Sequence, residues 1–396
     1  MSRILLVNKF YYPRGGDCVA VLNQEKLLKQ NGHEVAIFSS RHKDNLPSVW
    51  EAYFPSEISF ASPGIKGKLS AVSRLFYSSE VKDKFTRLLD DFKPDIVHVH
   101  NIHSYLSPYV VQLASRRGIK VVWTLHDYKL LCPAYTCLRE GEPCELCFHD
   151  KKPVIKYRCM KQDIKASVLS YLEAKVWNRK VLEKYTHVFI SPSHFNKSKM
   201  VAGGFSEEKI NVLHNFFIPE IENKTIEKSD YYCYVGRLSY EKGIDSLLEA
   251  AKDLPYTLKV VGGGDRLAAY RTKYPNDNIE FMGYLPHEEV LDLTRKARFT
   301  VVPSICYENN PLSVIESLCV GTPVLGARVG GIPELIRRGE NGFLFSPHAV
   351  EELKEEIIKA FDVFTVNFDY QQIKEESLEK FKEANHYAEL MRIYGL

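Results

Sequence analysis

No stretch of this chain is apolar for long enough to cross a bilayer, which takes about 20 residues as a helix. The opening MSRILLVNKFYYPRGG has neither the long apolar centre nor the small-residue cleavage site of a secretory signal. A cytoplasmic protein is therefore expected. Excess charge is missing too. Lys and Arg number 53 against 50 Asp and Glu, a formal net charge of +3, and that balance argues no nucleic-acid partner. Internal repeats and low-complexity tracts are absent, which excludes a solenoid. No Asp-x-Asp pair occurs anywhere, so that carboxylate clamp for a metal bridging two phosphates is not available.

What is present is an ordinary globular composition over 396 residues, enough for two domains. RILLVN runs into the glycine loop YYPRGGD and then into the helical pattern CVAVLNQEKLLKQNGH; EVAIFSS follows as a buried strand. PDIVHVHN, KVVWTLHD and THVFISPS repeat the theme. After INVLHNFF the pattern restarts with YYCYVGRLSYEKGIDSLLEAA. YTLKVVGGGD, NIEFMGYL, FTVVPS and PVLGA are further strand candidates. Strands alternating with helices predict two α/β domains with parallel sheets. The expected division is residues 1–217, with a cysteine-rich insert at 132–159, and residues 218–375. A polar linker is expected over Ile221 to Asp230. The charged helical segment 376–396 is expected to return to the first domain.

The densest signal is YENNPLSVIESLCVGTPVLGARVGGIPELI, Tyr307 to Ile336. FTVVPSI before it reads as a strand and YENN as the loop at its C-terminal end. Pro311 suits the first helical position with Asn310 as N-cap. In an open parallel sheet, ligands bind beyond the C-terminal ends of the strands, and a helix starting there offers free N–H groups to phosphate. Glu308 stands just before that helix and Glu316 about two turns in. A carboxylate beside phosphate is repelled unless it accepts hydrogen bonds from hydroxyls. Two of them suit a ligand with hydroxyls on both sides of a diphosphate, which describes a sugar nucleotide.

E-x7-E between strand and helix, followed by GTPV and GGIPE, resembles the retaining GT-B glycosyltransferases of family 4. YVGRLSYEKGIDSLLEA, VVGGGD, RGGDCVAVLNQEKLLKQNGHEV and TLHDYKLLCP carry the same resemblance over nearly the whole chain. It implies two Rossmann-like domains facing a cleft and sugar transfer from a UDP- or GDP-sugar to a saccharide or polyprenyl-linked acceptor. The implied setting is bacterial surface polysaccharide assembly. It implies that Arg237 and Lys242 hold the donor diphosphate and that Glu316 binds the ribose. Glu308 would bind the transferred sugar, and backbone near Asn310 and Leu312 would reach phosphate and sugar. Gly15, Gly16 and Gly263 would let the backbone approach closely, and His126 would face the reacting carbon. Pro311 lacks the N–H that the family's common glycine there supplies. No cofactor is required for such chemistry. Two alternatives stand beside it, an epimerase-like enzyme on the same fold and a non-catalytic nucleotide-sugar-binding subunit.

Nine cysteines are present, and Cys132, Cys137, Cys144, Cys147 and Cys159 crowd into one stretch. In a reducing compartment such clustering points to metal rather than disulfides. The reading takes Cys132, Cys144, Cys147 and Cys159 as ligands of a structural zinc, Cys132 on the resemblance, and leaves out Cys137. IKGKLSAVSRLFYSSEVKDKFTRLL and IKASVLSYLEAKVWNRKVLEKY mix cations with aromatic and aliphatic residues at helical spacing. They read either as helices packed on the sheet with basic outer faces, or as peripheral contacts with an anionic membrane.

Overall fold

The computed structural model describes residues 1–58, 65–219, 227–366 and 368–396. Most of the expected linker, 221–226, lies outside them. Its far end is anchored, because Lys228 Nζ donates to Arg295 O at 2.8 Å and Thr322 Oγ1 at 2.7 Å.

Apolar runs of three to five residues form the strands of the two large sheets, and β5 and β6 are two-residue strands of a small hairpin. In chain order they are β1 (Arg3–Val7), β2 (Glu34–Phe38), β3 (Ile96–Val99), β4 (Lys120–Thr124), β5 (Leu138–Arg139), β6 (Glu142–Pro143), β7 (Val188–Ser191) and β8 (Ile210–Val212). Then come β9 (Tyr231–Val235), β10 (Thr257–Val261), β11 (Ile279–Gly283), β12 (Thr300–Val302), β13 (Val324–Ala327) and β14 (Gly342–Phe345). One six-stranded sheet has the order β2-β1-β3-β4-β7-β8, the other β11-β10-β9-β12-β13-β14. Every pairing within each is parallel, as in β1 with β2 and β3, and β12 with β9 and β13. Two short strands, β8 and β14, escaped the sequence reading. Each pairs on one side only at the sheet's end and is too short to show a pattern. The hairpin β5–β6 is a separate antiparallel pair inside the cysteine-rich insert.

The helices are α1 (Gly16–Gln30), α2 (Ile65–Phe76), α3 (Ser79–Phe92), α4 (Tyr109–Arg116), α5 (Pro153–Lys156), α6 (Ile164–Val176), α7 (Arg179–Tyr185) and α8 (His194–Ala202). The second half adds α9 (Ile244–Ala251), α10 (Leu267–Lys273), α11 (His287–Lys296), α12 (Leu312–Cys319), α13 (Val350–Val366), α14 (Tyr370–Lys380) and α15 (Glu383–Tyr394). Capping follows local chemistry. Ser78, Asp163, Asn178 and Ser193 each accept from a first-turn N–H at the starts of α3, α6, α7 and α8. Among the described residues, no helix is long and apolar enough to cross a membrane.

The chain divides into two units. The first comprises Met1–Cys137, Cys144–Leu213 and Tyr387–Leu396; the second comprises Leu138–Pro143 and His214–His386. The core of the first includes Ile4, Leu6, Val21, Ile37, Ile96, Val122 and Ile190, joined by Leu390, Ile393 and Tyr394 from α15. The core of the second includes Tyr232, Leu248, Val260, Phe299, Val301, Ile315, Leu325 and Phe345.

From Tyr387 onward the last helix is thus part of the first unit, while residues 376–386 of the segment expected to return there fall in the second. Leu390 is fully buried. Leu390→Ala should cost about 3 kcal/mol through lost transfer energy and the cavity left behind. Urea unfolding followed by Trp fluorescence should show this as an earlier first-unit transition, since Trp50, Trp123 and Trp177 all belong to that unit.

Candidate active site

In the second sheet the chain runs outward from β9 through β10 to β11, then returns to the other side of β9 with β12. Strand order reverses there, the place beyond the strand ends where open parallel sheets bind ligands. The β9 loop carries Arg237 and Lys242, and the β12 loop carries Glu308 and Asn310.

Gly243 brings the β9 loop against the end of β12, and Gly330 brings the loop after β13 against the β12 loop. Gly243 has φ 68°, and a Cβ on it would lie 1.9 Å from Pro303 O at the end of β12. Gly330 has φ 63°, and a Cβ there would lie 2.3 Å from Glu308 O. Neighbouring Gly331 N donates to that carbonyl at 2.7 Å. Only glycine fits either position.

Lys242 Nζ and Glu308 Oε1 pair at 2.6 Å, and Ser304 Oγ donates to the same oxygen at 2.6 Å. Burial pushes the Glu308 carboxyl upward, but Lys242 and the two hydrogen bonds outweigh it and hold the group below the usual carboxylate range. Burial pulls Lys242 down, and Glu308 more than compensates, so the ammonium loses its proton less readily than a free lysine. Both are charged at neutral pH. Arg237 Nη2 donates to Glu241 Oε1 at 2.5 Å and stays exposed. Gly263 O accepts from Leu238 N at 2.9 Å, tying the glycine turn after β10 to the β9 loop.

The start of α12 differs from the sequence expectation. Pro311, at ψ 121°, is the extended cap residue, and the helix begins at Leu312. Asn310 does not cap it. Its Oδ1 accepts from Asn215 N at 2.7 Å, and its carbonyl accepts from Asn215 Nδ2 at 2.8 Å. The missing N–H of Pro311 therefore falls outside the helix, and the first helical N–H belongs to Leu312. Glu316 is little more than one turn in, partly buried, with Oε1 3.1 Å from His287 Nε2.

The first unit repeats the reversal between β1 and β3. Gly15 is the extended cap of α1, at φ −174°, and a Cβ there would make only an ordinary contact with Asp17. Neither strain nor internal crowding demands glycine at 15. Asn101 Nδ2 donates to Asp17 Oδ2 at 2.5 Å, and Asn8 Oδ1 accepts from Asn101 N at 3.1 Å. Burial works against the charge of Asp17, but Lys9, His126 and Asn101 prevail and keep its carboxyl low. His126 Nε2 lies 2.9 Å from His100 Nδ1. Burial presses the His126 imidazole down, Asp17 and Asp127 offset part of this, and the ring is neutral at pH 7. His98 is a core residue, with Nε2 2.7 Å from Thr124 Oγ1 and Nδ1 2.7 Å from Tyr394 Oη.

Sequence reading missed Asp17, Asn101, Lys129 and Glu173. Lys129 Nζ meets Glu173 Oε2 at 2.9 Å and donates to Pro133 O at 2.7 Å. His103 Nδ1 lies 3.5 Å from Glu173 Oε1, its ring stacked on Trp123. Asp17 could have been found as an acid directly after Gly-Gly at a helix start. Glu173 has no such marker, because its partners come from other elements.

Among the described residues, no group of three or more His, Cys, Asp or Glu is arranged to hold a metal ion. The thiols that do meet are Cys132 with Cys137 and Cys147, through side-chain hydrogen bonds. Cys137, omitted from the expected ligand set, is fully buried, while Cys144 and Cys159 are partly exposed. The hairpin turn explains this, because Cys144 N donates to Cys137 O at 2.7 Å and folds residue 137 inward. Two of the four expected ligands, Cys132 and Cys147, are thus in contact, joined by Cys137.

Two parallel α/β units, each with charged and polar groups gathered where its strand order reverses, define the GT-B class. Solved structures of that class span nearly all of this chain. A sucrose-phosphate synthase from Thermosynechococcus elongatus aligns with TM-score 0.73 at 18% identity, over 100% of this chain and 98% of its own. The apo lipopolysaccharide outer core galactosyltransferase WaaB gives 0.64 at 16%, over 99% and 98%. Anabaena HepE in complex with UDP and glucose gives 0.67 at 15%, over 99% of each. The Glycosyltransferase Family 4 profile matches residues 15–220, and that of the glycosyl transferases group 1 matches residues 218–363. The chain belongs to glycosyltransferase family 4. A 42.6 kDa protein in the cps region of Klebsiella pneumoniae, itself uncharacterized, is 28% identical over 84% of this chain and 87% of its own length. An uncharacterized glycosyltransferase of Methanocaldococcus jannaschii is 24% identical over 100% and 98%.

Burial raises the Glu173 carboxyl, but Lys129 and His103 bring it down to about 2. This lies below its unfolded value of about 4.3, so the pair's stabilisation is complete above that pH and disappears as pH falls toward 2. Lys129→Met strands a buried carboxylate and should lower unfolding free energy at pH 7 by about 3 kcal/mol. The deficit should shrink in acid, when denaturation is repeated across that range.

Proposed function

We propose that this protein is a retaining hexosyltransferase that moves a sugar from a UDP-sugar to a saccharide or polyprenyl-linked saccharide during surface polysaccharide assembly. The observation that carries the reading is the Lys242–Glu308 pair, with Arg237 beside it, at the strand reversal next to the start of α12. Uridine is favoured over guanosine because HepE is solved with UDP and with UDP-glucose. The polysaccharide setting rests on the Klebsiella cps-region relative.

In this reading Arg237 and Lys242 neutralise the diphosphate, and N–H groups from Leu312 onward add the positive end of the helix. Glu316 accepts from the ribose hydroxyls. Glu308 is already charged and oriented by Lys242 and Ser304, and accepts from hydroxyls of the transferred sugar. The bond from the anomeric carbon to the β-phosphate oxygen breaks, and the bond to the acceptor oxygen forms on the same face. The acceptor proton passes to the leaving phosphate. The family resemblance assigns His126 to the reacting carbon, and a neutral ring in that role would not repel the developing positive charge. Charge placement and proximity supply the rate enhancement.

A thermal-shift panel with UDP, GDP, dTDP and ADP tests the donor. At ~100 times its dissociation constant, UDP should stabilise the protein by about 2.7 kcal/mol. Arg237→Ala should weaken UDP binding by roughly tenfold or more, the value of one charge-assisted contact. Glu316→Ala should lose most transfer activity with an unchanged melting temperature. Wild-type behaviour of both variants would overturn the site, and a shift with GDP alone would overturn the base.

A further inference from the structure

Helix α6 is packed inside out. Its inward face is polar, with Ser167, Ser170 and Glu173 buried; Ser170 Oγ donates to Ser167 O at 3.0 Å, and Lys129 holds Glu173. Its outward side carries Ile164, Val168, Leu172 and Val176. These recur every four residues and so stand one above another as a ridge. Ile164 and Leu172 are each 44% exposed and Val176 48%. A surface helix of a soluble protein normally has the opposite arrangement. Lys165 and Lys175 are exposed along the same ridge, and the one acid of the helix, Glu173, is the buried one.

The surroundings extend the pattern. Trp177 Nε1 donates to Leu75 O at 2.9 Å at the end of α6. The Tyr109 ring bridges Trp177, at 6.5 Å, and Tyr77, at 5.1 Å, and Tyr77 is itself exposed. Residues 151–184 hold ten Lys or Arg against three Asp or Glu. Arg158 and Lys161 before α6, and Arg179 and Lys180 after it, are exposed. Of the three acids, Glu173 is buried and Glu183 is within 3.5 Å of Arg179.

We propose that the outward ridge of α6 is a docking surface for an anionic lipid bilayer. Ile164, Val168, Leu172 and Val176 enter the headgroup–acyl boundary. Lys165, Lys175 and the flanking cations spread their stems over the apolar surface and reach the lipid phosphates. Charge complementarity selects this occupant, since a narrow apolar ridge ringed by cations matches a surface that offers acyl chains and phosphates together. None of these residues belongs to the proposed donor site, so the inference stands or falls independently of the transfer chemistry.

The test is flotation of the full chain with vesicles of phosphatidylcholine alone and of phosphatidylcholine mixed with phosphatidylglycerol. The wild type should float with the anionic vesicles and remain below with the neutral ones. Leu172→Glu with Val176→Glu, and separately Lys165→Glu with Lys175→Glu, should each cut the bound fraction about tenfold or more. Their melting temperatures should match the wild type, because every altered side chain is exposed. Failure of the wild type to float on anionic vesicles would overturn the proposal, as would equal flotation on both lipids or wild-type flotation by both variants. A lipid-free dimer in sedimentation velocity that Leu172→Glu dissolves would make the ridge a self-interface and overturn it too.

Discussion

Parallel pairing is the constraint from which the rest follows. A parallel strand reaches its neighbour only through a crossover, so every strand of a unit ends at the same edge of its sheet. The polar loops therefore collect at that edge, and reversal of strand order opens them apart at one point. In the second unit that point lies between β9 and β12, in the first between β1 and β3. The residues with chemistry to offer stand there because the chain has nowhere else to put its strand-end loops. Gly243 and Gly330 add the last element by letting backbone approach where any side chain would collide.

The charges at these points are paired before any ligand arrives. A half-buried lysine persists as an ammonium because Glu308 faces it, and Glu308 stays ionised because Lys242 and Ser304 face it. Asp17 and His126 follow the same logic more weakly, with Asn101 holding the carboxylate and His100 the ring. Electrostatic organisation of this kind needs no reorientation when a charged substrate enters, which is where preformed sites gain over water.

The same economy accounts for α6. Glu173 anchors the helix by its polar side to Lys129 and the loop after β4, and this turns the aliphatic ridge outward. The sequence of α6 shows apolar residues at helical spacing and would place that ridge in the core. Its outward orientation is a consequence of the buried ion pair.

Much of the architecture was legible in the chain. RILLV, EVAIF, YYCYV and TLKVV are short apolar runs that read as strands, and the glycine loops and helical patterns between them point to parallel order. Strand ends marked the loops that carry Arg237, Lys242 and Glu308, and the family resemblance supplied their expected roles together with that of Glu316. What the chain could not disclose was which polar groups far apart in sequence would meet within a unit. Asn101 meets Asp17 over a separation of 84 residues, and Glu173 finds a lysine on another loop. Cys137, left out of the expected set, joins Cys132 and Cys147 across the insert. Local patterning follows from propensity and periodicity, which act within a few residues. Pairing of buried polar groups is decided by desolvation, which acts only once the tertiary fold has excluded water.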